Sequence, residues 1–160
     1  MIVAIPKEKT AREARVAATP ATVKVLIKSG LKVQVETQAG NQSFFSDQDY
    51  VEAGAQIVNS SNELLSFADI VIKVLPPSLE ETSQLKIGSV VISFFQSTRE
   101  ISKVKALAER SITGFSMHLI PRTTLAQKMD ALSSQANIAG YKAVLMAATH
   151  LGVFMPLLMT

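Results

Sequence analysis

A chain of 160 residues that is 48% hydrophobic and 18% charged suits one globular domain with a sizeable core. Its net charge of +3, with scattered basic residues and only 6% aromatics, speaks against a nucleic-acid surface. With no cysteine there are no disulfides or thiol nucleophiles, and His118 and His150 are too isolated to suggest a metal pair, so no metal site is expected.

Strands and helices alternate along the sequence. Ile2 to Ile5 is a short β-branched run ended by Pro6, and the opening MIVAIPKEKT is too short in its apolar part for a signal peptide. Val23, Leu26 and Ile27 give Pro20 to Ser29 helical spacing, with Gly30 as its stop. Leu31 to Glu36 alternates as a strand. Ser46 opens a short capped helix that closes at Gly54, followed by a brief strand at Ile57 and Val58. Asn62 to Phe67 reads as a short helix. Ile70 to Val74 and Val90 to Phe95 are continuous apolar runs, typical of strands covered on both faces. Thr98 to Arg110 is amphipathic, with Ile101, Val104, Leu107 and Ala108 on one side, and Ile112 to Phe115 is the last strand.

This alternation predicts an α/β fold: a doubly wound, mainly parallel sheet, flavodoxin-like or Rossmann-like, closed by a long C-terminal helix. In such sheets ligands gather at the carboxyl ends of the strands. Four loops fall there by position: Pro6 to Arg15, Lys73 to Pro77, Gln96 to Arg99 and Met117 to Arg122. There is no internal repeat and no low-complexity linker.

The last forty residues, from Pro121, carry the densest polar signal. A loop with Arg122, Gln127 and Asp130 leads through a Ser-Ser step into a segment without charge after Lys142. Ala136, Gly140, Ala143 and Ala147 recur on one helical face, which would let the helix lie tight against another element. Such a loop presents polar groups at a cleft edge, or is simply the entry to a core helix; the pattern leaves both open. Ala143 to Met159 is apolar, but Thr149, His150, Gly152 and Pro156 interrupt it, and it falls short of the ~20 residues of a membrane span. A buried helix stopping near Pro156 is the expectation.

The seven glycines, at 30, 40, 54, 88, 114, 140 and 152, are never closer than ten residues. No G-x-G-x-x-G or P-loop can be written, so no glycine turn brings a pyrophosphate onto a helix N-terminus.

The run from Pro121 to Lys142, with its PR…AQ…DALSSQANIAGYKA wording, resembles the first domain of proton-translocating NAD(P) transhydrogenase. In bacteria that domain lies at the start of the alpha subunit. IPKE…RVAATP (Ile5 to Glu8, Arg15 to Pro20) resembles the same family and its relative, alanine dehydrogenase. The similarity covers essentially the whole chain.

The resemblance implies residues 1–125 as an N-terminal α/β domain, then a nicotinamide-facing loop and connecting helix at 126–160. A glycine-motif Rossmann lobe would follow, so this chain is expected to be a fragment or one piece of a split gene, inactive alone. The implied cofactor is NAD, with NADP on a separate domain. The implied partners are that Rossmann lobe, the NADP-binding and membrane parts, and a second copy in a homodimer. The implied location is the cytoplasmic face of the inner or plasma membrane, peripherally.

Carried over by resemblance, Arg122 reaches the nicotinamide carboxamide and ribose region. Gln127 orders the nicotinamide against the NADP-binding domain and is the one residue placed in the catalytic step. Asp130 and Ser133 are its hydrogen-bonding partners. Direct hydride transfer between C4 atoms needs position rather than an acid or base. Leu125 stands where the family often has a second arginine, so a contact from that arginine is in doubt.

The rival reading is alanine dehydrogenase, whose substrate site resembles an arginine, a lysine and a histidine on these loops. Arg15 and Lys73 are present, but Gln96 occupies the neighbourhood of the histidine, and an amide cannot exchange a proton near neutral pH. For Arg15 and Lys73 the structural reading is the favoured one, because ion-pair networks also place charges in clefts. A third reading, a docking module built on the small-residue face, is compatible with the first.

Overall fold

The computed structural model describes residues 1–153. It places Ile2–Ile5 (β1) inside a six-stranded sheet of order β3-β2-β1-β4-β5-β6. Every pairing is parallel: β1 with Lys32–Glu36 (β2) and Ile70–Ile72 (β4), β2 with Gln56–Val58 (β3), and Val90–Ser93 (β5) with β4 and Thr113–Ser116 (β6). The order 3-2-1-4-5-6 is that of the Rossmann sheet, and it reverses between β1 and β4.

Side chains alternate across a strand, so β1 feeds two cores. Val3 and Ile5 join Val33, Val35, Val23 and Tyr50 on one face. Ala4 joins Leu64, Leu65, Val71, Val91 and Leu107 on the other. Pro20–Lys28 (α1) and Asp47–Glu52 (α2) serve the first core. Ser61–Phe67 (α3) and Ile101–Glu109 (α5) serve the second, with Leu79–Gln84 (α4) packed against both of them. Fully burying a residue such as Leu64 or Leu65 contributes about 1.5–3 kcal/mol.

Local chemistry sets the boundaries. Thr19 caps α1, whose first position is Pro20, where a missing N–H costs nothing. Ser46 and Asp49 form a capping box on α2, and Ser78 and Glu81 another on α4. The predicted helix from Thr98 begins only at Ile101, because the chain turns at 96–100, where the Gln96 N–H donates to the Glu100 carboxylate. The strands expected to reach Val74 and Phe95 end at Ile72 and Ser93, although Lys73 N–H still donates to Ile92 C=O and Phe94 N–H to Val74 C=O. The last strand sits one residue later than read, at Thr113–Ser116. Helix α4 was not anticipated; Ser78-Leu-Glu-Glu81 is its sequence signature.

Gly40 has a specific steric role. A Cβ there would lie 2.7 Å from the Tyr50 ring and 2.8 Å from the Phe45 carbonyl oxygen. Tyr50 is fully buried beside it and donates its hydroxyl to Ala18 C=O at 2.9 Å, which anchors the end of the β1–α1 loop. Burial pushes its phenol up to about 12.

A second compact unit begins at Ile120. Its main element is the 20-residue helix Ala131–His150 (α6), capped by Asp130. The expectation of a buried helix is overturned: none of its residues is buried. Ile138, Tyr141, Val144 and Met146 are all more than half exposed, and nothing lies within 4 Å of where a Gly140 Cβ would be. Ala136, Gly140, Ala143 and Ala147 of the small-residue face are all exposed. The helix ends at His150; the stop expected near Pro156 lies outside the described residues. No described helix is long and apolar enough to cross a membrane.

Candidate functional site

The loops after β1, β4 and β5 open on one edge of the sheet, as parallel strands require. Between β1 and β4, where the strand order reverses, doubly wound sheets usually leave a ligand crevice. Here that place is taken by protein charge. Lys73 is buried, with its Nζ 2.8 and 2.9 Å from the two Glu81 oxygens and 3.9 Å from Glu8. The other Glu8 oxygen accepts the Val74 N–H at 2.7 Å, and Glu81 accepts the Ser78 N–H at 2.9 Å.

Two buried carboxylates thus share one ammonium, and their environments split them. Burial pushes the Glu8 carboxyl up, against the pull of Lys73 and the Val74 amide. Burial is also the largest influence on Glu81 and opposes its carboxylate, but the Lys73 bonds and charge, the Ser78 amide and the Lys9 charge together outweigh it and hold Glu81 below the usual range. Glu81 is therefore the principal counter-ion.

Arg15 is committed as well. Its Nε and Nη2 donate to the Glu13 carboxylate at 2.8 and 2.7 Å, a bidentate pair that lowers Glu13 and raises Arg15. The pocket beside Glu13 and Arg15 measures about 10 Å³, at the threshold for one water. Of the two readings of Arg15 and Lys73, these bonds support the structural one. Gln96 is exposed, and its backbone bonds to Glu100 and Arg99. The sequence reading missed Glu8 and Glu81 as partners, although the capping-box signature marked Glu81.

The second unit holds a different arrangement. From Pro121 to Asp130 the chain makes successive tight turns: Ala126 N–H donates to Thr123 C=O, Met129 N–H to Ala126 C=O and Asp130 N–H to Gln127 C=O. Ala126 is buried, while Leu125 is 93% exposed. An open cleft of about 550 Å³ lies against this loop, within the ~300–1,000 Å³ of small-molecule sites. Arg122, Thr123, Thr124 and Gln127 line it from the loop. Asp130, Ser133, Ser134 and Asn137 line it from the cap and first turns of α6. All four residues carried over by resemblance, Arg122, Gln127, Asp130 and Ser133, therefore border one cleft.

Asp130 and Ser133 are bound to each other. Asp130 Oδ1 accepts the Ser133 N–H at 3.0 Å and Oδ2 accepts its hydroxyl at 2.6 Å. Those bonds, with the Arg122 charge behind them, hold the Asp130 carboxyl below its usual range. The Ser133 proton is spent on the cap, so its oxygen can only accept from a ligand, and so can Asp130. Arg122 can only donate. The Gln127 amide does both, and neither it nor Arg122 has a hydrogen-bonded protein partner among the described residues. The cleft thus mixes donors and acceptors, which fits a primary carboxamide and a ribose diol. Every residue that lines it is of a polar or charged type.

The family model described as the alanine dehydrogenase/PNT N-terminal domain matches residues 4–139. The chain is 42% identical over 154 residues to NAD(P) transhydrogenase subunit alpha of Haemophilus influenzae, covering 96% of this chain and 30% of that protein. A solved transhydrogenase structure from Sinorhizobium meliloti superposes with a TM-score of 0.93 at 41% identity, covering all of this chain and 48% of that one. A solved L-alanine dehydrogenase is more distant, with a TM-score of 0.70 at 32% identity over 73% of this chain and 32% of its own. The chain spans less than half the length of each of these relatives. It belongs to the alanine dehydrogenase/PNT N-terminal domain family.

Proposed function

We propose that this chain is part of the NAD(H)-binding component of a proton-translocating NAD(P) transhydrogenase. In that role it presents the nicotinamide end of NAD(H) for hydride exchange with NADP(H). The observation that carries this reading is the cleft at Arg122–Asn137, where a carboxamide finds both donors and acceptors. The nicotinamide ring, when bound, supplies the hydride itself. The chain's own residues bind and orient. Arg122 donates toward the carboxamide and ribose, and Gln127 holds the ring's position toward the other cofactor. The pre-ordered Asp130–Ser133 pair offers acceptors whose geometry is already fixed.

A cleft lined by polar residue types, without a glycine phosphate turn in the sequence, fits a site completed by other domains. A Rossmann lobe would hold the pyrophosphate, and an NADP-binding domain would close over the ring. The exposed apolar side chains of α6 suit contact with that lobe or a second copy, and a membrane part would couple transfer to proton movement on the cytoplasmic side. The alanine dehydrogenase reading is weakened because Arg15 and Lys73 are each neutralised by a glutamate.

The test uses the polypeptide that carries this domain, assembled with its NADP-binding partner. Transfer from NADPH to an NAD analogue is assayed beside NADH oxidation with pyruvate and ammonium. Transfer without pyruvate turnover is expected. Pyruvate turnover without cofactor-to-cofactor transfer would overturn the proposal.

A further inference from the structure

Asp130, Ser133, Ser134 and Asn137 border the cleft from the first turns of α6. Ser133 and Asn137 are four residues apart, so they stack on one helix face. Their hydrogen-bonding states differ. Ser133 gives its proton to Asp130, and Ser134 gives its own to the Asp130 carbonyl at 3.2 Å. Asn137 is exposed, and its amide has no hydrogen-bond partner among the described residues. It is therefore an uncommitted amide on the wall of the cleft, carrying one acceptor and one two-proton donor on the same plane.

We infer that Asn137 is a further positioning residue, reading the primary carboxamide of the nicotinamide ring through its side-chain amide. The inference rests on the transhydrogenase reading of this cleft. A carboxamide presents the complementary pair, a carbonyl acceptor beside an amino donor. The Asn137 Oδ1 accepts from the ligand amino group, which keeps the carboxamide from rotating and so fixes the ring's orientation. Arg122 supplies charge and Gln127 a second amide, but Asn137 stands on a regular helix, where backbone geometry holds it more firmly than a loop does.

The 3-acetylpyridine analogue of NAD keeps the ring carbonyl and replaces the amino group by methyl, so it isolates that donor. The complete assembly carrying this chain is assayed with NADPH as hydride source and either NAD or the analogue as acceptor. The preference, taken as a ratio of kcat/KM values, is compared between parent and variants, so intrinsic differences between the two acceptors cancel. Asn137→Leu has similar size and suits an exposed helix position. It should lose roughly 3–10-fold of the parent's preference for the carboxamide, the span of one net hydrogen bond. Asn137→Asp retains the acceptor and should retain the preference. An unchanged ratio in Asn137→Leu, or equal loss in both variants, overturns the inference. A parent assembly that passes no hydride to either acceptor instead overturns the function on which the inference rests.

Discussion

The carboxyl edge of the sheet and the cleft before α6 both gather charged side chains, but they use them differently. At the sheet edge Lys73 is buried, and its partners Glu8 and Glu81 take up its donors at hydrogen-bonding and ion-pair distances. In the cleft Arg122, Gln127 and Asn137 are exposed, and their side chains have no hydrogen-bond partner among the described residues. A buried charge that is already satisfied gains little from a ligand and costs much to expose. An exposed, uncommitted group has donors and acceptors to offer. At the usual ligand position of the fold the charges are paired with one another, whereas on the proposed reading the binding chemistry lies in the second unit.

That contrast is broken most severely at Lys73. Lys73→Met leaves Glu8 and Glu81 buried together without their ammonium, and should cost about 3–5 kcal/mol in a denaturant titration. If the variant is as stable as the parent, the cluster is not structural.

The next effect is on binding. Residues 1–160 alone should bind NADH weakly or not at all, since no glycine turn among them cradles a pyrophosphate. Isothermal titration reads this directly, and micromolar one-to-one binding would contradict it.

A smaller effect separates the two glutamates. Glu8→Gln keeps an acceptor for the Val74 N–H and removes the surplus buried carboxylate, so stability at neutral pH should rise by about 1 kcal/mol or stay level. The pH dependence carries the sign. Glu8 has a raised folded pKa, so its contribution is fully present below its unfolded pKa and is lost as pH rises through the folded value. Glu81 has a lowered one, so its contribution is present above the unfolded pKa and is lost as pH falls through the folded value. Unfolding curves taken across the acid range should lose only the first trend in Glu8→Gln.

The mildest effect belongs to the cap. The lowered folded pKa of Asp130 means that its support for α6 is present above the ordinary aspartate pKa and fades as pH falls through the folded value. The protection of the Ser133 amide, its NMR exchange rate taken relative to the intrinsic rate at each pH, should stay constant from neutral to mildly acidic pH and fall only in strong acid. A change near pH 6 would point to another group.

Much of the sheet was legible because its strands bury β-branched runs between Gly, Pro and cap residues. Val71 and Val91 face one core in register, and nothing local argues against them. The ion cluster was not legible. Glu8 and Val74 meet across 66 positions, and no periodicity marks which lysine a folded sheet will bring to which glutamate. In the cleft, resemblance named Arg122, Gln127, Asp130 and Ser133. It did not name Asn137, although its helical offset from Ser133 was visible. The Asp130–Ser133 spacing was also an N-cap signature, so those residues have a structural duty beside any ligand they meet. The small-residue face of α6 was read correctly as a pattern, but a pattern does not name the surface it lies against.

Arg122 tests the central claim most directly. In the assembled enzyme, hydride transfer and NADH affinity are measured side by side for Arg122→Ala by stopped flow and equilibrium titration. If the cleft orients the ring while other domains hold the phosphates, transfer should slow about 100-fold. NADH affinity should fall by no more than about tenfold. An unchanged transfer rate in a folded variant would mean that the loop from Pro121 to Asp130 is structural and the cleft is not the site.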